Sequence, residues 1–92
     1  MAQAVESGTP INLEATGSIS VASGSLLGFY VNSTTAGTIV LRSGSNGTGS
    51  GTAISGTITP AIGFHRFPAY CPSGAHATIA NTLNVTFVFA AG

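Results

Sequence analysis

The side chains that could carry acid–base or nucleophilic chemistry are few. They are two carboxylates, two imidazoles, one thiol and two phenols, namely Glu6, Glu14, His65, His76, Cys71, Tyr30 and Tyr70. Serine is abundant, but the chain has no Asp to orient an imidazole and no G-x-S-x-G sequence. The histidines lack zincin spacing, and one cysteine offers no pair of thiolate ligands. We therefore predict no catalytic residue, no metal site and no cofactor, and we do not expect an enzyme.

Cys71 lies in an apolar stretch between Tyr70 and Pro72. A single cysteine cannot form an intrachain disulfide, and a buried cysteine behaves as a small hydrophobic residue. A reactive thiol would need an electropositive neighbourhood, for which His65 and Arg66 are weak evidence. The sequence therefore predicts that the Cys71 side chain is buried.

The segment 63–70, GFHRFPAY, is the most aromatic part of the chain. A surface aromatic patch with one Arg is typical of a protein-binding hot spot. The alternative is that Phe64 or Phe67 belongs to the core and Arg66 is only solvated, and both interpretations stay open at this point. The candidate interface residues are Phe64, Arg66, Phe67, Tyr70, Tyr30 and Arg42.

Two further motifs give less information about function. The segment 42–51, RSGSNGTGSG, has neither the Lys nor the G-x-x-x-x-G-K-[ST] spacing of a phosphate loop, so we expect a flexible connection. Three N-x-[ST] matches begin at Asn32, Asn46 and Asn84. In a chain rich in Thr and Ser, with no visible signal peptide, we treat them as chance matches.

Period-two alternation predicts the elements that position these residues. In residues 82–89 apolar side chains alternate with Asn and Thr, which indicates a strand with one buried face. Residues 25–32 read as a strand with Leu27, Phe29 and Val31 on one face. Residues 37–42 read as another, and the short link between these two favours an antiparallel hairpin.

The remaining strands are shorter or interrupted. We predict them at residues 52–59, at 64–70 as an edge strand because of Pro68, at 75–80 before a tight turn at Asn81, and within 10–21. The sequence thus predicts an all-β fold, a small antiparallel β-sandwich or barrel (jelly-roll-like) of about seven short strands. Residues 1–9 are expected to be an extended N-terminal arm, and residues 10–92 a single β domain.

Charge is the most unusual property of the composition. Of 92 residues only 4% are charged, the formal net charge is +0, and 43% are hydrophobic; an ordinary domain is about 25% charged. The hydrophobic content argues against disorder, and two arginines cannot form a phosphate-neutralising surface. No apolar stretch is long enough for a transmembrane helix. We expect neither nucleic-acid nor membrane binding, and a surface that mostly faces other protein subunits.

Five segments together resemble small structural proteins of tailed bacteriophages. They are LGFYVNSTT at 27–35 with GTIVLR at 37–42, GTAISGTITP at 51–60 followed by GFH at 63–65, and ATIANTLNVTF at 77–87. The similarity covers about residues 26–89 and consists of strand and turn signatures. It implies a virion protein, a capsid cement or decoration protein on the outer surface of the head. By analogy with such proteins we expect a homotrimer bound to the major capsid protein. A trimeric head-fibre or tail-fibre module that binds a host receptor or glycan is the alternative.

Overall fold

The computed structural model describes residues 8–91, and this part of the chain is almost entirely β. Six strands form one open antiparallel sheet, and a single 3-10 turn, Ser45–Gly47, follows the third strand. The strands are β1 (Thr9–Leu13), β2 (Gly17–Ser20), β3 (Gly24–Ser43), β4 (Thr52–Ala53), β5 (Gly63–Cys71) and β6 (Ala75–Ala91). The all-β prediction is confirmed.

The two long strands, β3 and β6, form the centre of the sheet. They pair with each other over their whole length, from Gly24 opposite Ala91 to Ser43 opposite Ala75. The outer side of β6 pairs with β1 near its end and with β2 near its start, while the outer side of β3 pairs with β5 and β4. The order is therefore β1-β6-β3-β5 at one end of the sheet and β2-β6-β3-β4 at the other.

β3 is strongly bent. At about 3.3 Å per residue a straight strand of its length would exceed 60 Å, whereas the longest dimension of the molecule is 43 Å. The two ends of β3 return towards each other, since Gly24 pairs with Cys71 and Ser43 pairs with Ala75, only a short turn further along. Register shifts in the β3–β6 pairing supply the bend, because a bulge increases local twist and curvature.

The hydrophobic core draws on both ends of the bent sheet. Leu26, Phe29 and Val31 come from one end of β3, and Ile39 and Leu41 come from the other. The core side of β6 is built from its alternating apolar residues, Leu83, Val85, Phe87 and Phe89, all at most 3% exposed. The predicted inward face of residues 82–89 is confirmed.

The strand count and connections differ from the prediction. Residues 25–32 and 37–42 do not pair as a hairpin; both belong to β3 and pair with β6. Residues 75–80 and 82–89 are likewise one strand. Asn81 has a left-handed backbone (φ 64°), but Thr82 pairs with two residues of β3, so the site is a bulge and not a turn. Local turn signals therefore mark bulges inside long strands.

A bulge also reverses the predicted face of one leucine. Leu26 is fully buried, whereas Leu27 is only partly buried, because the register shifts between Leu26 and Gly28. The facing β5 strand has its own irregularity at the same place, next to Pro68. Proline at a bulge on an edge strand fits its lack of a backbone donor, and the prediction of an edge strand for 64–70 agrees with β5.

The other predicted strands are partly found. Within 10–21 there are two strands, β1 and β2, separated at residues 14–16. Within 52–59 only β4 is regular, and Ile58 adds an isolated bridge to Ile39. Residues 1–7 of the predicted arm lie outside the described residues. Thr9 already pairs with Phe89 as the first residue of β1.

The glycine-rich segment 44–51 is folded against its neighbours. The Gly44 N–H donates to the Gly74 carbonyl at 3.0 Å, and the Gly47 N–H donates back to the Gly44 carbonyl at 3.0 Å. Gly47 and Gly74 have positive φ, and a Cβ on either would lie within 2.6 Å of the Ser20 carbonyl oxygen. Only glycine permits this close backbone approach, so the sequence reading of a flexible connection understated its role.

Candidate binding face

One row of side chains crosses the outer face of the sheet from edge to edge. Asn12 of β1 pairs with Thr86 of β6, Thr86 pairs with Tyr30 of β3, and Tyr30 pairs with Phe64 of β5. Directly opposite residues on antiparallel strands point to the same face, so these four side chains lie side by side. We call them the transverse row. Half of it is aromatic and half is amide or hydroxyl.

The aromatic half of the row is well exposed. Tyr30 is 46% exposed and Phe64 is 54% exposed. Gly28, the neighbour of Tyr30 by two positions on β3, lies beneath the tip of the Phe64 ring: a Cβ at Gly28 would be 2.9 Å from Cζ of Phe64. The glycine therefore leaves room for the tip of the ring to lean over the sheet.

The polar half of the row belongs to a network of amides. The Nδ2 group of Asn12 donates to Oδ1 of Asn84 at 2.8 Å and to Oγ1 of Thr86 at 3.1 Å. The Nδ2 group of Asn32 donates to the same two atoms at 3.2 and 3.1 Å. We call Asn12, Asn32, Asn84 and Thr86 the amide network. It joins three strands and contains no charge.

The amide network keeps hydrogen-bonding capacity that faces outward. Both donor groups of Asn12 and Asn32 are directed into the network, and within residues 8–91 their Oδ1 atoms accept no hydrogen bond. In the same part of the chain Nδ2 of Asn84 donates none. Two acceptors and one donor are thus held in fixed positions beside Tyr30.

The six residues predicted as an interface are only partly brought together. Arg66 is exposed and pairs with Gly28, next to the transverse row. Tyr70 is 65% exposed on the same strand as Phe64, but six residues along a strand is about 20 Å. Phe67 is partly buried and packs against the core. Arg42 lies at the opposite end of β3, with Nη1 donating to the Gly51 carbonyl at 3.2 Å.

The asparagines were missed as a group by sequence reasoning. The sequence marks Asn32 and Asn84 as N-x-[ST] matches and assigns no role to Asn12. The alternation of residues 82–89 already places Asn84 and Thr86 on the outward face. What the sequence could not give is the register that brings Asn12 and Asn32 to either side of them.

The remaining candidate groups for chemistry are dispersed. Cys71 is fully buried as a free thiol, so the prediction of a small hydrophobic residue is confirmed. His65 packs its ring against Phe29, with centroids 5.3 Å apart, and its Nε2 lies 2.8 Å from the Ala61 carbonyl oxygen. Within residues 8–91 no group of three or more His, Cys, Asp or Glu side chains is placed to hold a metal ion.

His76, which the sequence offers only as one of several titratable side chains, is buried. It is 7% exposed and is paired with Arg42 on β3 and with Ser18 on β2. Its ring lies under Gly49 of the glycine-rich segment. Its Nδ1 atom has no hydrogen-bond partner. Burial, and then the positive charge of Arg42, lower the pKa of His76 below its ordinary value of 6.5.

No helix in the described part of the chain is long and apolar enough to cross a membrane. Comparisons with known protein families, with curated proteins and with solved structures found no match to this chain. Any assignment of function therefore rests on its residues and on the geometry of its sheet.

Proposed function

We propose that the protein is a structural component of a bacteriophage virion, a cement or decoration protein that binds the outer surface of the head. In this role it contacts the major capsid protein, forms a homotrimer and stabilises contacts between neighbouring capsid subunits. The observation that carries the proposal is the scarcity of charge on the two central strands, where Arg42 near the end of β3 is the one Lys, Arg, Asp or Glu side chain. Where a free domain would place Lys or Glu, β6 carries Asn84 and Thr86, and β3 carries Asn32 and Thr35.

Exposed apolar side chains support the same role. Val21, Ile62 and Tyr70 are each more than 60% exposed, in addition to the aromatic half of the transverse row. A domain with so little charge and several exposed large apolar residues is suited to permanent protein–protein contacts, whose composition resembles that of a protein core. Apolar area summed over many copies would raise the free energy needed to separate capsomers.

We also propose that the bent sheet closes on itself as a small sandwich or barrel. The support is that a single hydrophobic cluster receives residues from both ends of β3. A closed arrangement gives a decoration protein a rigid body with two outer faces, one for the shell and one for solvent.

The test is the copy number and position of the chain in purified particles. Quantitative mass spectrometry of virions, followed by cryo-electron microscopy, should find copies on the order of hundreds, on the outside of the head and at a regular lattice position. Absence from the particle, or a few copies only, would contradict the proposal.

A head-fibre or tail-fibre module is the second candidate function. The observation that favours it is the transverse row, where exposed aromatic rings lie beside a fixed amide network. Such a module would be trimeric and would bind a host receptor or glycan. It would be present in a few dozen copies at most, clustered on fibres, so the same particle analysis separates the two proposals.

A further inference from the structure

We propose that the transverse row and the amide network form a binding site for a neutral carbohydrate. This site would give the second candidate function, a receptor-binding or glycan-binding module, a specific face and a specific class of ligand. It rests on that candidate function only in assuming that this face binds a ligand. A capsid location for the protein is compatible with this site where the transverse row faces away from the shell.

The first argument is the aromatic platform. The C–H groups on one face of a hexose carry a small positive charge and pack well on the negative face of an aromatic ring. Tyr30 and Phe64 are direct cross-strand neighbours and both are about half exposed. The tip of the Phe64 ring lies over Gly28, and the exposed ring stands beside the exposed Tyr30 on the neighbouring strand.

The second argument is the fixed set of polar atoms beside that platform. The free Oδ1 atoms of Asn12 and Asn32 can accept hydrogen bonds from sugar hydroxyls, and the free Nδ2 of Asn84 can donate one. The internal bonds of the network hold each amide in one orientation. Little side-chain entropy is therefore lost when a ligand binds.

The third argument is electrostatic. The transverse row and the amide network contain no ionisable carboxylate or amine. Among residues 8–91 the charged side chain paired next to them is Arg66, which is itself engaged in an interaction. A site of hydroxyl, amide and aromatic groups matches an uncharged polyhydroxyl ligand. It offers nothing to compensate the desolvation of a polyanion or a polycation. Because the face is open and shallow, we expect dissociation constants between about 0.1 and 10 mM for short oligosaccharides.

The test uses the full-length protein and a panel of neutral oligosaccharides built from glucose, galactose and N-acetylglucosamine, each at up to about 10 mM. Binding is followed by two-dimensional amide NMR and by Tyr fluorescence, which has no Trp background in this chain. At least one neutral oligosaccharide should shift amide signals of β3 and β6 around Tyr30 and Thr86.

Matched variants locate the site. Tyr30→Ala and Phe64→Ala should each weaken binding about tenfold or more, as expected for central aromatic contacts, and Asn32→Ala should weaken it severalfold. Tyr30→Phe keeps the aromatic ring, so it should retain binding, and retained binding shows that this variant is folded. Tyr70→Ala is the matched control, since Tyr70 is exposed on β5 but about 20 Å along the strand from Phe64.

Three outcomes would overturn the proposal. They are no shift with any member of the panel, binding that survives the double variant of Tyr30→Ala with Phe64→Ala, and an equal loss with Tyr70→Ala. If Tyr30→Ala and Phe64→Ala instead convert an oligomer to a monomer and no sugar binds, the face is a protein contact. None of these results depends on the copy number in virions, so the capsid proposal is tested separately.

Discussion

At the residue scale, His76 is the side chain whose environment departs most from that of a free amino acid. It is enclosed by β2, β3 and the glycine-rich segment, and the groups that face it are Ser18, Arg42 and Gly49. None of them is an acid that could stabilise an imidazolium ion. This environment therefore favours the neutral imidazole.

This environment predicts acid sensitivity of the fold. Because the pKa of His76 is lowered in the folded state, the unfolded chain takes up a proton first as the pH falls below about 6.5. The unfolded state then binds more protons than the folded state. The free energy of unfolding is therefore highest above pH 6.5, as far as His76 determines it, and decreases as the pH falls. Urea unfolding at a series of pH values from neutral to acidic measures this dependence.

His76→Phe should flatten the pH dependence, even if it changes the stability at neutral pH. His65→Gln is the matched control, since it removes the other imidazole of the chain and should leave the dependence in place. An unchanged slope in His76→Phe would show that another group is responsible.

At the scale of elements, the turn after β5 and the glycine-rich segment after β3 hold the two ends of the bent strand together. Their contact consists of backbone against backbone, because Gly74 and Gly47 each approach the Ser20 carbonyl oxygen. A methyl group at this position would have to displace main chain, which is more costly than moving a flexible side chain.

Gly74→Ala should therefore lower the free energy of unfolding by at least about 2 kcal/mol, because left-handed backbone strain and the collision with main chain add. Gly44→Ala is the matched control. Gly44 also has positive φ (104°), but its added Cβ meets nothing within 4 Å, so Gly44→Ala should cost only the backbone strain, about 1 to 2 kcal/mol. Chemical denaturation of both variants checks the difference, and equal losses would contradict the backbone contact.

The sequence predicted the composition of the elements better than their connections. Alternation in residues 82–89 correctly placed Leu83 to Phe89 on the core side, because each strand face is a local property of the chain. The division of β3 at residues 32–37 and of β6 at Asn81 was wrong. Ala36 and Asn81 have a left-handed backbone, which occurs in turns and in bulges alike, and only the pairing with the partner strand distinguishes the two.

The candidate site shows the same limit. Tyr30 and Phe64 could be identified from their type and from the alternation around them. Their adjacency, and the three asparagines beside them, depend on the register between strands that are far apart in the chain. Asn12 and Asn84, for example, are 72 residues apart and 2.8 Å apart in hydrogen-bond distance.

At the scale of the whole molecule, we expect self-association that responds little to salt. The chain carries two positive and two negative side chains, so contacts between copies must be apolar or neutral hydrogen-bonding contacts, which ionic screening leaves nearly unchanged. Sedimentation at micromolar concentration should show a trimer at low salt and at about 1 M salt. A soluble monomer, or a trimer that dissociates as salt rises, would contradict this expectation.

The central position of β6 also constrains how the chain acquires its structure. β6 is the last strand in sequence, yet it is the partner of β1, β2 and β3. A nascent chain that has not yet synthesised Ala75 can pair β3 only with β4 and β5, and the longest strand pair of the sheet, β3 with β6, is still missing. Sheets built from such distant pairings fold slowly, in milliseconds to seconds. Until β6 emerges, the exposed apolar faces of β1 to β3 lack their native cover, and this interval is when the protein is most prone to aggregate.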